Sequence, residues 1–360
     1  LDRLKNVPLN PQRIVVRCPN WIGDAVMATP FLSELRETYP NAEITFMLRE
    51  YVKEVYSGAP WADKYVITKN KQRTKFLKRR LNSIVENIQM LKNGNYDLAV
   101  LLSNSFESAF EAKTAGIPNR IGYRRNGRGF LITSGPKAVR RSGVYEPVSM
   151  IDYYNELGKY LGFKKFSQDM TLFLSPEDEC KTNAVMNQFG IDESSNLIGL
   201  NLGAAFGSSK LWKPEYFAQV GDYFARNPKN KVMLLAGPNE DIILDKISAM
   251  MQYPKIKLTS DLVPIGVLKG IIRRLSLLIT NDTGPRHFAS SFGIPSVVLI
   301  GATNPRWTTN NDSKQIVLMK VPVCGPCHLR NCPMNHQCMR NIKPADVVQA
   351  AEKLLGSPIA

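Results

Sequence analysis

Short β-branched, apolar runs about five residues long, each followed by a stretch with apolar residues at helical spacing, recur through both halves of this chain. That alternation restricts the fold more than any other feature. Residues 13–17, Arg-Ile-Val-Val-Arg, form the first such run, and a helix is expected over 24–38, where Val26, Met27, Phe31 and Leu35 fall on one face. A strand over 44–48, a helix near 50–57, a strand over 65–67, a helix over 81–92 and a buried strand over 98–102 continue the pattern. The second half repeats it: strands over 198–202, 232–236, 277–279 and 296–300 alternate with helices over 214–226, 240–251 and 285–292. Strands that are apolar throughout must be covered on both faces, so the order β-α-β-α implies mostly parallel sheets flanked by helices.

At roughly 150 residues per domain, 360 residues make two domains. Phe173-Leu174-Ser175-Pro176, just before a charged helix start, is the expected hinge. It separates a first Rossmann-like domain over 1–174 from a second over 175–343, and a final helix within 344–360 is placed back against the first domain. Two open α/β domains predict a ligand cleft between them, with ligands bound beyond the carboxyl ends of the strands. Hydrophobic residues make up 44% and charged residues 22%, which excludes a disordered or collagen-like chain. No apolar run approaches the length that spans a bilayer, no charged and then apolar leader is expected, and six cysteines are too few for a disulfide framework. A cytoplasmic protein is the expectation.

Lys and Arg exceed Asp and Glu by 47 to 31, and the excess is local. Residues 69–80 carry seven basic side chains, Lys75, Arg79 and Arg80 among them, and no acidic one. Between Glu111 and Glu146 lie eight more, including Arg120 and Arg124, again without an acid. These fifteen account for nearly all of the net +16. A field confined to one half attracts an anionic partner there, be it nucleic acid, acidic membrane or a phosphorylated substrate. A solvated basic face is the plainer reading.

Three loops after strands carry the unusual residues. The first, Pro19-Asn20-Trp21-Ile22-Gly23-Asp24, ends in a carboxylate at a strand-to-helix turn, where Asp24 serves either as an N-cap or as a general base. The second, Gly203-Ala204-Ala205-Phe206-Gly207-Ser208-Ser209-Lys210, combines close backbone approach with a lysine, as a phosphate requires. In the third, Asp282-Thr283-Gly284-Pro285-Arg286-His287, a strand gives way to a helix whose first amides and partial positive charge suit an anion. Neither the P-loop nor the Gly-x-Gly-x-x-Gly fingerprint occurs, which argues against a nicotinamide enzyme. No Asp-x-Asp occurs either, so a carboxylate-held metal on a diphosphate is not expected, and Lys210, Arg286 and helix amides would supply the neutralising charge.

Together these loops resemble glycosyltransferase family 9, the ADP-heptose–lipopolysaccharide heptosyltransferases, over about 13–355. The anchors are Pro19 to Pro30, Gly203 to Gly207 with Lys210, Asp282-Thr283-Gly284 with His287, and the Cys324-Gly325-Pro326-Cys327 region. The first anchor and the cysteines look most like the enzymes that add the second heptose. The resemblance implies a GT-B fold with an interdomain cleft and an inverting transfer that needs no metal. Residue by residue it implies that Asp24 deprotonates the acceptor hydroxyl, Lys210 binds the diphosphate, Glu240 holds the ribose and Asp282 contacts the heptose. The Thr283 and Gly284 amides and His287 would line the sugar-phosphate site. Arg286 departs from the pattern, where a smaller or apolar residue such as Met is expected, and would add a phosphate contact. The basic runs, represented by Lys75, Arg79, Arg80, Arg120 and Arg124, would dock a lipid A–Kdo–heptose acceptor at the inner face of the cytoplasmic membrane.

Cys324, Cys327, Cys332 and Cys338 are spaced C-x2-C-x4-C-x5-C with His328 and His336 between them. Structural zinc, reduced cysteines packed in a loop, and a disulfide formed after purification are the open readings. The alternatives to heptose transfer are another family 9 reaction, such as addition of the first heptose, and a basic nucleic-acid-binding protein. The basic runs lack the interleaved aromatics of a stacking platform, so no nucleic acid is expected.

Overall fold

The computed structural model describes residues 10–68, 77–141, 143–192, 195–309 and 312–356. They form two compact units that divide after Met170. The expected hinge lies four residues later; the Lys269 ammonium, which donates to the Phe173 carbonyl at 2.9 Å, shows why 173 already belongs to the second unit.

In the first unit, strands β1 (Arg13–Arg17), β2 (Glu43–Leu48), β3 (Lys64–Ile67), β4 (Leu98–Leu101) and β5 (Asn119–Gly122) form one parallel sheet in the order β3-β2-β1-β4-β5. Helices α1 (Ile22–Met27), α2 (Thr29–Thr38), α3 (Glu50–Lys53), α4 (Leu77–Asn93) and α5 (Phe106–Thr114) connect them. A two-residue hairpin, β6 (Arg140–Arg141) with β7 (Val144–Tyr145), and α6 (Met150–Gly158) follow. The single helix expected over 24–38 is two helices broken at Ala28. Pro30 has no N–H to give the Val26 carbonyl, and the Thr29 hydroxyl donates to that carbonyl instead, at 2.8 Å. The helix near 50–57 is likewise shorter, α3 passing into a tighter turn over Glu54–Tyr56.

The second unit begins with α7 (Pro176–Gln188), opened by a reciprocal Ser175–Asp178 cap. Its sheet runs β10-β9-β8-β11-β12-β13, all parallel, from β8 (Asn196–Asn201), β9 (Asn230–Leu235), β10 (Ile256–Leu258), β11 (Leu277–Asn281), β12 (Ser296–Ile300) and β13 (Gln315–Met319). Helices α8 (Pro214–Ala225), α9 (Asp241–Met250), α10 (Ile265–Arg273), α11 (Gly284–Ser291), α12 (Gln337–Asn341) and α13 (Pro344–Leu355) complete it. The final helix, α13, buries Val347, Ala350 and Ala351 in the second unit's core with Trp212, Phe217 and Val297. The Trp212 indole N–H fixes the approach to α13 by donating to the Ile342 carbonyl at 3.0 Å.

Each sheet starts with its central strand and adds strands outward on one side before crossing to the other. The crossover lies between β1 and β4 in one unit and between β8 and β11 in the other. The connections leaving these strands diverge there, and an open α/β sheet binds its ligand in that gap.

Candidate active site

At the β8/β11 crossover the side chains that end the two strands tie their loops together. The Asn201 amide donates to the hydroxyls of Thr280 and Thr283, both at 2.9 Å. The Asn281 amide donates to the carbonyls of Leu202 and Gly203, and its oxygen accepts the Trp212 N–H at 3.2 Å. These bonds bring Lys210 to Asp282. The Lys210 ammonium stands 2.7 Å from Asp282 Oδ2 and 2.9 Å from the Asp282 carbonyl, and 5.2 Å from the centre of the Phe206 ring. Thr303 also donates to Oδ2 at 2.7 Å, and Arg286 Nη1 takes Oδ1 at 2.7 Å. Burial pushes the Asp282 carboxyl up, but Arg286 and Lys210 outweigh it and hold the group well below the usual carboxylate range. His287 is 3% exposed, and burial, reinforced by Arg286, pushes its pKa down to about 3. It is therefore neutral at pH 7 and can offer an anion a hydrogen bond but no charge.

Arg286 is buried with its Nη groups on Asp282, Thr308 and Gln315. The direct phosphate contact expected of it is replaced by an internal one. Thr283 precedes α11 in extended conformation, and no side chain caps the helix. The Gly284 amide thus sits in the uncapped first turn, and Pro285 has no N–H to offer.

Glu240 precedes α9 and joins two loops of the same unit. Its carboxylate accepts the Gly237 N–H at 2.7 Å and a backbone bond from Ala204, while burial raises its pKa. Gly203 permits the approach, since a Cβ there would lie 1.5 Å from Glu240 Oε2.

The four clustered cysteines line one cavity of about 70 Å³, with Ser209, Gly301 and Met334 among the other wall residues. Cys332 Sγ accepts the N–H groups of Met334 and His336. All six cysteines are free, and among the described residues no group of three or more His, Cys, Asp or Glu is placed to hold a metal ion. The four thiols share a wall without converging as a ligand set. What this loop visibly does is support the Lys210 loop. The Ser209 N–H donates to the Arg330 carbonyl at 3.0 Å and its hydroxyl to the Leu329 carbonyl, and Gly207 at φ 151° packs so tightly that a Cβ would meet Arg330 O at 2.4 Å.

In the first unit, Trp21 and not Asp24 is the residue that caps α1 by position. Asp24 stands at the third helical position, half-buried, where a carboxylate is favoured by the helix dipole. Tyr56 and Tyr154, both fully buried, have hydroxyls held protonated by burial above all, with the Asp24 charge contributing. The basic side chains divide sharply. Arg128 is buried on the carbonyls of Ser103, Ser105 and Tyr123, and Arg120 spends its guanidinium on the carbonyls of Leu131, Ile117 and Pro118. Arg124 is exposed and donates to Thr133 O at 2.9 Å, while Arg125 and Arg140 flank the Tyr145 ring at 3.7 and 4.3 Å. Arg79 and Arg80 fall on the first turn of α4; Lys75 lies outside the described residues.

The family model described as glycosyltransferase family 9 (heptosyltransferase) matches residues 84–337, well over half of the chain. The chain belongs to glycosyltransferase family 9. Among solved structures, a family 9 glycosyltransferase from Veillonella parvula superposes with a TM-score of 0.82 at 26% identity, over 98% of this chain and 99% of that one. The ADP-heptose heptosyltransferase II of Escherichia coli does so at 0.75 and 22%, over 95% and 98%. In sequence, the lipooligosaccharide heptosyltransferase 2 of Campylobacter jejuni is 25% identical over 348 residues, 95% of this chain and 99% of that protein. This family 9 transferase is thus a glycosyltransferase of GT-B architecture, as the resemblance implied.

Reading the loops of the transferase as a sequence passes over Asn201, Asn281 and Thr303. The two asparagines are within reach of such a reading, because each ends a mostly apolar strand with a side chain that must find partners when buried. Thr303 gives no such signal, since its partner Asp282 lies twenty-one residues away.

Proposed function

We propose that this transferase, similar to relatives named heptosyltransferase 2, moves heptose from ADP-heptose to the inner core of a lipopolysaccharide, with inversion and without a metal. The observation that carries the reading is the Lys210–Asp282–Arg286 cluster at the β8/β11 crossover. It brings two cations and one carboxylate together beside an uncapped helix start, a net positive charge suited to a leaving diphosphate. Asp24, at the corresponding crossover of the first unit, would take the proton of the acceptor hydroxyl as the sugar is displaced. Glu240, oriented by two backbone amides, would accept from the ribose hydroxyls.

The same reading makes the enzyme peripheral at a membrane surface, where its acceptor lies. An exposed cluster of Phe106, Phe110 and Phe130 supports this, with Phe130 69% exposed and 6.1 Å from Phe106, and the Lys113 ammonium over the Phe130 ring. No helix of the described residues is long and apolar enough to cross a membrane.

The deciding experiment incubates the protein with ADP-heptose and defined acceptors carrying either no heptose or one, following ADP release and product mass. Addition of one heptose to the monoheptosylated acceptor, undiminished by EDTA, is expected. Transfer only to the heptose-free acceptor would reassign the enzyme to the first addition, and loss of turnover in EDTA would remove the metal-free mechanism.

A further inference from the structure

We propose that Arg286 is a positioning residue for the donor diphosphate: by holding Asp282 from below, it frees Lys210 to move onto the phosphates. This rests on the reading of the site given above.

Arg286 is only 2% exposed and belongs to the interior. Its Nη1 donates to Asp282 Oδ1 at 2.7 Å and to the Thr308 hydroxyl at 3.1 Å; its Nη2 donates to Gln315 Oε1 at 2.7 Å and to the Thr308 carbonyl at 3.3 Å. Anchored on β13 and on the turn after β12, the guanidinium spends both Nη groups on the protein, and its remaining donor, Nε, is buried without a partner. The two Asp282 oxygens are divided accordingly: Oδ1 goes to Arg286, while Oδ2 is shared by Lys210 and Thr303.

The division matters when a diphosphate arrives. Lys210 is the more exposed of the two cations, with 13% of its side chain accessible, and it is a single point charge on a flexible stem. With an uncharged residue at 286, Lys210 and Asp282 would cancel. Moving the ammonium to a phosphate would then strand a buried carboxylate with one hydroxyl for company, and stranding a buried charge is strongly unfavourable. With Arg286 in place, Asp282 keeps a full counter-charge while Lys210 changes partners. The cluster of Lys210, Arg286 and Asp282 also carries one net positive charge instead of none, since His287 beside it is neutral. Arg286 thus sets the charge the phosphates meet without touching them.

The test measures ADP and adenosine binding calorimetrically for the full chain and for Arg286→Met and Arg286→Lys, with thermal melts as a check on folding. Arg286→Met is expected to weaken ADP by about tenfold or more, the scale of a lost desolvated charge contact, and to leave adenosine within about twofold. Arg286→Lys keeps the charge but cannot span Asp282 and Gln315 at once, so it should lose a smaller part of the preference for ADP over adenosine. Equal losses for ADP and adenosine would make Arg286 merely structural and overturn the proposal, as would an Arg286→Met variant with unchanged ADP affinity. Should Arg286→Met fail to fold, a wild-type ADP preference in Arg286→Lys would overturn it instead. If the unaltered protein does not bind ADP, the functional reading falls and takes this proposal with it; normal ADP binding by both proteins removes the proposal alone.

Discussion

At the β8/β11 crossover two cations and a carboxylate are sealed together and linked by bonds of 2.7 Å, whereas the β1/β4 crossover of the same topology holds Asp24 and a looser set of charges. There, Arg17 at the end of β1 meets the buried Glu111 at 3.3 Å, with one guanidinium nitrogen buried and unbonded; burial lowers the Arg17 pKa, and Glu111 opposes that. Other cations of the first unit lie over aromatic rings, on carbonyls, or in surface pairs such as Arg36–Asp63 and Lys64–Glu43. A site that receives one unchanging group, a diphosphate, gains from charges fixed beforehand in low dielectric. A surface that meets a large, branched anionic acceptor gains more from exposed arginines that adjust. On the proposed function, this difference would give binding of the leaving group to the second unit and proton removal and docking to the first.

Separating those two tasks by substitution gives the largest expected effect. Asp24→Asn should lower kcat by roughly a thousandfold, within the range removed with a general base, while ADP affinity measured calorimetrically stays within twofold. Lys210→Met should do the reverse at the binding step, abolishing most of the preference for ADP over adenosine. If Asp24→Asn lost ADP binding as well, the two crossovers would not divide the work.

How far this is legible in the residues differs between the units for the same physical reason. Strands such as 13–17 and 296–300 are buried on both faces and read directly as apolar runs. The hairpin at Arg140–Arg141 and Val144–Tyr145 is two residues per strand and exposed, so it leaves no periodic signal. Lys210, Glu240 and Asp282 stand beside glycines at strand ends, where local sequence announces close backbone approach. Arg286 reads wrongly as a ligand contact because its partner Gln315 is twenty-nine residues downstream and local sequence cannot say which way a guanidinium points. Arg120 is expected among the acceptor's contacts for a related reason: a basic run in sequence does not distinguish solvent from backbone carbonyls as the partner.

A pH titration of stability sharpens the comparison from the buried side. His287 has its pKa pushed down to about 3, against 6.5 for a free imidazole. Between these values the unfolded chain takes up a proton that the folded one refuses, so stability is full above pH 6.5 and declines as pH falls toward 3. For one such group the slope approaches about 1.4 kcal/mol per pH unit. Denaturant melts between about pH 7 and 4.5 should show this decline, in a window above the titration of Asp282, and His287→Gln should flatten it. His328, lowered by burial and by Lys210, adds a loss of the same sign, so the difference between the two proteins is the quantity to read. An unchanged slope in His287→Gln would mean that the imidazole is not held neutral in the folded state.

The exposed arginines of the first unit should give the smallest effect and the one most sensitive to conditions. Arg124, Arg140 and Arg141 face solvent, and the Arg141–Glu146 contact is a surface pair at 3.4 Å. Such charges contribute little to stability, so changing all three to Gln should leave the melting temperature nearly unaltered. Their attraction for an anionic acceptor acts through water and is screened over about 10 Å at 0.1 M salt and about 3 Å at 1 M. The triple variant should therefore raise the acceptor KM by about three- to tenfold at low salt, with kcat and donor KM unchanged, and converge with the unaltered enzyme as salt rises. Convergence would mark these side chains as a screened docking field. A KM defect that persisted at about 1 M salt would instead mean that at least one of them is held against the acceptor in a desolvated contact, and the first unit would then resemble the second more closely than its exposed charges indicate.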